Sequence, residues 1–281
     1  MNGTLLRLVR IVLYIGLTLP LMPVQAVALA LRAPFSRRLP QIYHRWSCRI
    51  LGFRLKVKGE ISPRRPTLFV ANHTSYLDIE VLGALIDGSF IAKTEVAQWP
   101  LFGWLAKLQR SVFIDRRQRN AADHRDSIRG RLDEGDRLIL FPEGTSSDGN
   151  RVLPFKSALF SVADYTGPDG SLAVQPISVA YVRLDGIPLG RFYRPYYAWY
   201  GDMELAPHLW AMLGLGTVEV EVTFHPIVTL AQFGSRKVLT EHCYRTICSG
   251  LSSSLAGRPQ PLDPPAPAIM PAAAPQAVAA R

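Results

Sequence analysis

A histidine and an aspartate, His73 and Asp78 in Asn72-His73-Thr74-Ser75-Tyr76-Leu77-Asp78, are the residues best suited to chemistry. A neutral imidazole, with an ordinary pKa of about 6.5, takes a proton at physiological pH. A carboxylate beside it fixes the ring tautomer and stabilises the imidazolium that forms. Five positions apart on a continuous helix of about 3.6 residues per turn, the two side chains diverge. The pair therefore works with His73 in a turn and Asp78 in the helix that follows, with Thr74 or Ser75 as its cap. A second polar, Gly-containing turn is Pro142-Glu143-Gly144-Thr145-Ser146-Ser147.

Both turns follow apolar, strand-like runs, Thr67–Ala71 and Leu138–Phe141, so two strand ends converge on one site. Further strands are expected at Arg54–Lys58 (an alternating edge strand), Ser89–Ala92, Ser111–Asp115, Leu172–Val182 and Val218–Phe224. Helices are expected from Tyr76 to Leu85, Trp99 to Leu108, Ala121 to Leu132 and Phe155 to Ala163. Strands alternating with helices predict an α/β sandwich with a mixed or largely parallel sheet. Residues 257–281 hold seven Pro and eight Ala and read as a disordered tail. The expected division is an anchoring segment over 1–49, a catalytic domain over 50–252 and a tail over 253–281.

The net charge of +10 is concentrated at one end. Residues 1–59 hold ten Lys and Arg and no acid before Glu60, which leaves 22 basic and 22 acidic residues elsewhere. An uncharged run from Ile11 to Leu31 lies within this basic segment. Apolar sequence framed by arginines fits an anionic membrane surface better than nucleic acid. The run is long enough to span a bilayer. However, Pro20 and Pro23 favour a break, and positive flanks on both sides oppose a single crossing. A kinked, hairpin-like or interfacial insertion is expected ahead of a true span. A cleaved signal ending near Ala28-Leu29-Ala30 ranks third. Cys48, Cys243 and Cys248 form no paired framework or metal-ligand cluster, as in a reducing compartment.

Four blocks in order carry a family resemblance: His73-x4-Asp78, Val112-Phe113-Ile114-Asp115-Arg116, Phe141-Pro142-Glu143-Gly144-Thr145 and Val174-Gln175-Pro176-Ile177. Over roughly residues 50–230 the chain resembles the glycerolipid acyltransferases typified by 1-acylglycerol-3-phosphate acyltransferase. The resemblance implies acyl transfer from a thioester, acyl carrier protein or coenzyme A, to a lysolipid hydroxyl. It implies His73 as base, Asp78 as its partner, and Arg116, Glu143, Gly144 and Thr145 on the acceptor side, with Glu143 either binding the acceptor or organising the site. It also implies direct attack without an acyl-enzyme, no metal or cofactor, membrane lipids as partners, and a place on the cytoplasmic face of the cell membrane.

Two departures bear on the acceptor. Arg110 stands where the family often has Gly, and Ser146 where it often has the arginine suited to a phosphate. Arg110 and Lys156 are the candidate anion contacts in compensation. The run Phe141–Lys156 and Trp199-Tyr200-Gly201-Asp202-Met203 resemble the branch that acylates lyso-ornithine lipid, whose headgroup is an amino acid. That acceptor is preferred, with lysophosphatidate, or both, as the alternative. A serine hydrolase would need Ser146 or Ser147 as nucleophile, and no G-x-S-x-G elbow is present. A non-catalytic membrane-binding protein would need only the basic apolar arm.

Overall fold

The computed structural model describes residues 3–114, 121–168 and 170–258. Helix α1 (Gly3–Ala30) and helix α2 (Leu39–Leu51) lead into strand β1 (Phe53–Lys58). Then come β2 (Thr67–Ala71), α3 (Leu77–Leu85), β3 (Ser89–Lys93), α4 (Phe102–Leu108), β4 (Val112–Ile114), α5 (Ala121–Asp133) and β5 (Arg137–Leu140). A small hairpin, β6 (Thr166–Gly167) and β7 (Gly170–Ser171), precedes β8 (Ala173–Leu184) and β9 (Ile187–Pro188). Helix α6 (Leu205–Leu213), β10 (Val218–Phe224), α7 (Leu230–Phe233) and α8 (Arg236–Leu255) complete the described chain.

The main sheet runs β1-β10-β8-β2-β5-β3-β4, with β9 beside β8. β8, β2, β5, β3 and β4 are parallel neighbours, and β10 is antiparallel to β8. This is the mixed sheet expected, and β1 lies at its edge. Successive residues of β2 alternate faces, so a strand buried on both sides reads as continuous apolar sequence. Phe69 and Ala71 join the core under α2, α3 and α6. Leu68 and Val70 join the opposite core under α5 and α8.

The sequence reading places no element at α2, α6 or α8. Helix α8 is amphipathic through Leu239, Cys243, Ile247 and Leu251, four residues apart and buried, and Ser235 caps its start. It runs to Leu255, three residues past the expected end of the catalytic domain. The short helix expected over Phe155–Ala163 is a 3-10 helix at residues 157–164. The Pro/Ala-rich tail from residue 259 onward lies outside the described residues.

The expected break at the prolines does not occur. Both lie inside α1, which continues to Ala30. Side chains pin the helix along its length. Arg10 donates to the carbonyls of Leu213, Leu215 and Gly216, Tyr14 to Glu80, and Gln25 to the carbonyls of Ser36 and Leu108. These tertiary bonds oppose the local loss of two helix donors. A helical hairpin does form, but its turn is at residues 31–38. Gln25 reaches Ser36, and Thr18 reaches Tyr43, as antiparallel packing requires.

Helix α1 is polarised in the reverse of a soluble helix. Its buried face carries Arg10, Thr18 and Gln25, whereas Leu8, Val12, Leu13, Leu19 and Val27 are exposed. Its most apolar window has a mean hydropathy of 1.8, long and apolar enough to cross a membrane. Trp46, Trp104 and Leu101 extend the exposed apolar surface.

A buried polar cluster joins this hairpin to the catalytic body. His44 Nδ1 lies 2.7 Å from Glu80 Oε2, and His44 Nε2 lies 2.9 Å from Gln109 Oε1. Burial alone would lower the His44 pKa, but the Glu80 charge and the hydrogen bonds to Glu80 and Gln109 together outweigh it and leave the group above its usual 6.5. Burial opposes ionisation of Glu80, yet His44 holds its pKa below the usual 4.5. The His44 share of the stabilisation is complete below pH 6.5 and lost as pH rises through its raised pKa. The Glu80 share is complete above pH 4.5 and lost as pH falls through its lowered pKa. Thermal stability in detergent is therefore expected to plateau between these limits. His44→Leu should cost about 3–5 kcal/mol by leaving Glu80 buried without its partner. The double variant His44→Leu/Glu80→Leu should cost less, and a thermodynamic cycle on unfolding midpoints measures the difference.

Candidate active site

The site forms at the C-terminal ends of β2 and β5, where the two motif-bearing turns meet. Asn72 extends the sheet beyond β2: its side chain donates to the Val179 carbonyl and accepts from the Val179 N–H, at 3.0 and 2.8 Å. This clamp sets where the His73 turn leaves the sheet. His73 lies in that turn and Asp78 in the first turn of α3, as the spacing requires.

The geometry of Asp78 determines the ring. The residue is fully buried. Its Oδ2 accepts from His73 Nδ1 at 2.9 Å and from the backbone N–H groups of Thr74 and Ser75 at 2.6 and 2.9 Å. Its Oδ1 accepts from the Tyr181 hydroxyl at 3.0 Å. A carboxylate that only accepts requires the proton on Nδ1, which leaves Nε2 with a free lone pair. His73 stacks on Phe141, with ring centres 4.2 Å apart, and its side chain keeps 21% exposure. The arrangement turns Nδ1 toward the buried carboxyl and leaves Nε2 on the opposite edge of the ring. Capping differs from expectation: Thr74 and Ser75 make no side-chain cap bond, and Asp78 satisfies their N–H groups from within the helix.

Glu143 is placed as an organiser. It is buried, and both carboxylate oxygens are taken, Oε1 by the His73 N–H at 2.6 Å and Oε2 by the Leu153 N–H at 2.7 Å. Burial, with a smaller contribution from the Asp78 charge, raises the carboxyl pKa to about 8 against the opposing pull of the two backbone bonds. Gly144 turns the chain at a positive φ of 71°, which suits glycine. Thr145 is exposed at the surface of the turn.

The remaining candidates divide. Arg110 precedes the N-terminal end of β4, whereas His73 follows the C-terminal end of β2, and the strands between them are parallel. It is therefore at the wrong end of the sheet for an anion contact at His73. It adopts a positive φ of 62°, the conformation that favours glycine there, and donates to Asp136 at 2.9 Å. Arg37 and Arg131 share that carboxylate. Lys156 is exposed, and its N–H donates to the Pro142 carbonyl beside the Glu143 turn. Arg116 lies outside the described residues. Ser146 donates its hydroxyl to the Trp199 carbonyl, and Ser147 Oγ accepts from the Gly149 N–H. Neither hydroxyl is paired with His73, as a serine nucleophile would need. Among the described residues, no group of three or more His, Cys, Asp or Glu is arranged to hold a metal ion.

Asn72, Tyr181 and Trp199 complete the site. The Trp199 N–H donates to the Thr74 carbonyl, and the Ser147 N–H to the His73 carbonyl. Asn72 had a local signal, a polar residue ending a buried strand. Tyr181 had none, because inside a buried strand its ring reads as core. Beside the site, a largely apolar cavity of about 510 Å³ extends beneath α1, lined by Tyr14, Met22, Tyr76, Trp99, Phe102 and Leu209 among others.

Glu143→Gln turns one accepting oxygen into a donor facing a backbone N–H. Leaving that buried donor unmatched should cost about 1–3 kcal/mol and displace the His73 loop. The expected result is a kcat lower by roughly 10–100-fold with little change in acceptor KM. Steady-state kinetics with each substrate varied checks this, since a direct acceptor contact would chiefly raise the acceptor KM.

The Acyltransferase family model matches residues 54–180. The chain is 43% identical over 265 residues to the lyso-ornithine lipid O-acyltransferase of Brucella abortus (strain 2308), covering 93% of this chain and 99% of that one. It is also 43% identical over 250 residues to the protein of that name from Rhizobium meliloti (strain 1021), covering 88% and 86%. Similarity to the 1-acyl-sn-glycerol-3-phosphate acyltransferase of Neisseria gonorrhoeae is 31% over 192 residues, covering 67% and 71%. The fold is like that of the 1-acyl-sn-glycerophosphate acyltransferase PlsC of Thermotoga maritima, with a TM-score of 0.66, 23% identity, and coverage of 92% and 98%. With the motif blocks, the sheet and these likenesses in agreement, the chain belongs to the acyltransferase family and is an acyltransferase.

Proposed function

We propose that this acyltransferase moves a fatty acyl group from an acyl thioester to the free hydroxyl of lyso-ornithine lipid. The observation that carries the chemistry is the saturated Asp78 carboxylate, which leaves His73 Nε2 as the accepting atom. Nε2 takes the acceptor hydroxyl's proton as its oxygen attacks the thioester carbonyl. The tetrahedral intermediate collapses by breaking the C–S bond, and the imidazolium returns the proton to the departing thiolate. Asp78 stabilises that imidazolium and stays ionised throughout. No acyl-enzyme forms. The apolar cavity suits the acyl chain, since its walls bury hydrocarbon next to Tyr76 and the His73 turn.

The long-matching Brucella and Rhizobium relatives support the lyso-ornithine acceptor, as does Ser146 in place of a phosphate-binding arginine. The Neisseria relative favours lysophosphatidate as the second reading. Acyl carrier protein is the proposed donor, with coenzyme A thioesters as the alternative. The proposed location is the cytoplasmic face of the cell membrane.

Helix α1 suits an interfacial position. Its buried side is bonded to the catalytic body from Arg10 to Gln25. Crossing the bilayer would carry that body into the hydrocarbon, whereas lying along the interface buries only the exposed apolar face. High salt should therefore leave the protein on membranes, because apolar insertion is not screened. Complete release by salt washing would show a purely electrostatic contact.

His73→Ala should lower turnover by roughly 10²–10⁴-fold while the protein remains folded. Wild-type enzyme given one acyl donor should show a higher kcat/KM for lyso-ornithine lipid than for lysophosphatidate, measured by product mass. A folded His73→Ala variant with near-normal turnover would refute the base. The reverse acceptor preference would refute the acceptor while leaving the acyl-transfer mechanism intact.

A further inference from the structure

The segment from β9 to α6 forms a strap bonded to the turns that carry His73 and Glu143. Trp199 fixes it from two directions, its N–H on the Thr74 carbonyl and its own carbonyl accepting from Ser146. Asn150 Nδ2 donates to the Arg191 carbonyl at 3.3 Å and holds the other end. From Gly186 to Gly201 the strap contains two arginines and no acidic residue.

Arg194 projects from this strap. Its Nη1 donates to Asn150 Oδ1 at 2.7 Å, and among the described residues its guanidinium enters no ion pair. Its Nε–H is buried and has no acceptor. A second N–H on the strap, Trp199 Nε1, is likewise buried without an acceptor. Asp148, the nearest acidic influence on Arg194, directs its two oxygens to the N–H and Nδ2 of Asn150. That contact turns the Asn150 amide so that its oxygen meets Arg194.

Gly149 places Arg194 at the site. It sits between the Arg194 stem and Thr74, the residue after His73. A Cβ added to Gly149 would meet Thr74 Cγ2 at 3.1 Å and Arg194 Cβ at 3.8 Å. The positive φ of 76° also favours glycine at this position. The stem of Arg194 thus lies near the turn that carries His73, and its guanidinium has a neutral partner and an unmatched Nε–H. A planar, permanently charged fork in that state suits a carboxylate or phosphate bound through two parallel hydrogen bonds. In this chain Ser146, at the place of the family's arginine, tethers the strap on which Arg194 stands.

We propose that Arg194 is the headgroup subsite of this enzyme, binding the anionic group of the acceptor, which in lyso-ornithine lipid is the amino acid carboxylate. The assignment of that carboxylate rests on the acceptor proposed above. Arg194 sets acceptor recognition and takes no part in proton transfer.

The test uses the full chain in detergent with acyl donor saturating. Three acceptors are compared: lyso-ornithine lipid, its carboxylate methyl ester, and lysophosphatidate. The wild type should prefer the free acid over the ester by roughly 10–100-fold in kcat/KM, the range of a charge-assisted contact. Arg194→Gln should bring that ratio near one by losing activity on the acid alone, through acceptor KM, with donor KM unchanged. Arg194→Lys should fall between, because it keeps the charge without the fork. Equal losses on acid and ester, reproduced by Asn150→Ala, would overturn the proposal and make Arg194 a brace for the strap. An unchanged acid-to-ester ratio in Arg194→Gln or in Arg194→Lys, whichever folds, would also overturn it. If the wild type prefers lysophosphatidate and Arg194→Gln loses activity on that lipid selectively, the subsite stands and the lyso-ornithine reading fails.

Discussion

A negative charge with no exposure to water organises this active site. Asp78 has zero accessible surface, so its carboxylate needs donors from the protein. It obtains four: the His73 ring, two consecutive backbone N–H groups and the Tyr181 hydroxyl. The donors come from the turn before α3 and from β8, and the carboxylate from α3 itself, so satisfying one charge brings three elements together. The same requirement fixes the imidazole tautomer. Glu143 poses the problem a second time from the other side of the loop. Its two oxygens hold the His73 and Leu153 N–H groups. The two acids raise one another's cost, as the Asp78 contribution to the raised Glu143 pKa shows. Backbone donors offset that repulsion, and the His73 turn is held on both sides as a result.

The N-terminal hairpin follows from a different constraint. In water a helix buries its apolar face, but α1 buries Arg10, Thr18 and Gln25 and exposes leucines and valines. That polarity has a physical sense only where the surroundings of the exposed face are themselves apolar. The buried polar side chains still need partners, and they find carbonyls at the ends of other elements: Leu213 and Leu215 for Arg10, Leu108 for Gln25. The helix is therefore part of the cavity wall as well as an exposed apolar surface. An acyl chain inside the cavity and lipid outside would contact opposite sides of the same element.

How much of this was legible in the sequence depends on the range of each interaction. The His73–Asp78 geometry was legible because both residues lie in one turn, and helix periodicity allows few ways for them to meet. The strands were legible because burial on both faces leaves continuous apolar runs. Helix α8 was missed although its apolar residues recur every four positions, because the serines and charges between them dilute the pattern. The proline expectation failed for a related reason. Local chemistry weighs the lost helix donors, while the bonds that pin the continuous helix α1 come from residues about 200 positions away. Arg110 failed on topology. Sequence placed it in the acceptor block, but the parallel strands put it at the opposite end of the sheet from His73.

Ser146 and Arg194 are best understood as a single change. On the proposed acceptor, Ser146 supplies no headgroup cation, and its hydroxyl instead donates to the Trp199 carbonyl. That bond lies within the strap carrying Arg194 and Trp199, and Trp199 in turn packs edge-on against Tyr76 and Trp99 at the cavity wall. Moving the cation from the rigid strand-end turn to the strap also moves its reach. A phosphate is compact and sits close to the glycerol hydroxyls, whereas an amino acid headgroup is longer and carries its carboxylate away from the reacting oxygen. On this account the same His73–Asp78 chemistry serves either lysolipid, and the position of one arginine relative to the catalytic turn sets which headgroup fits.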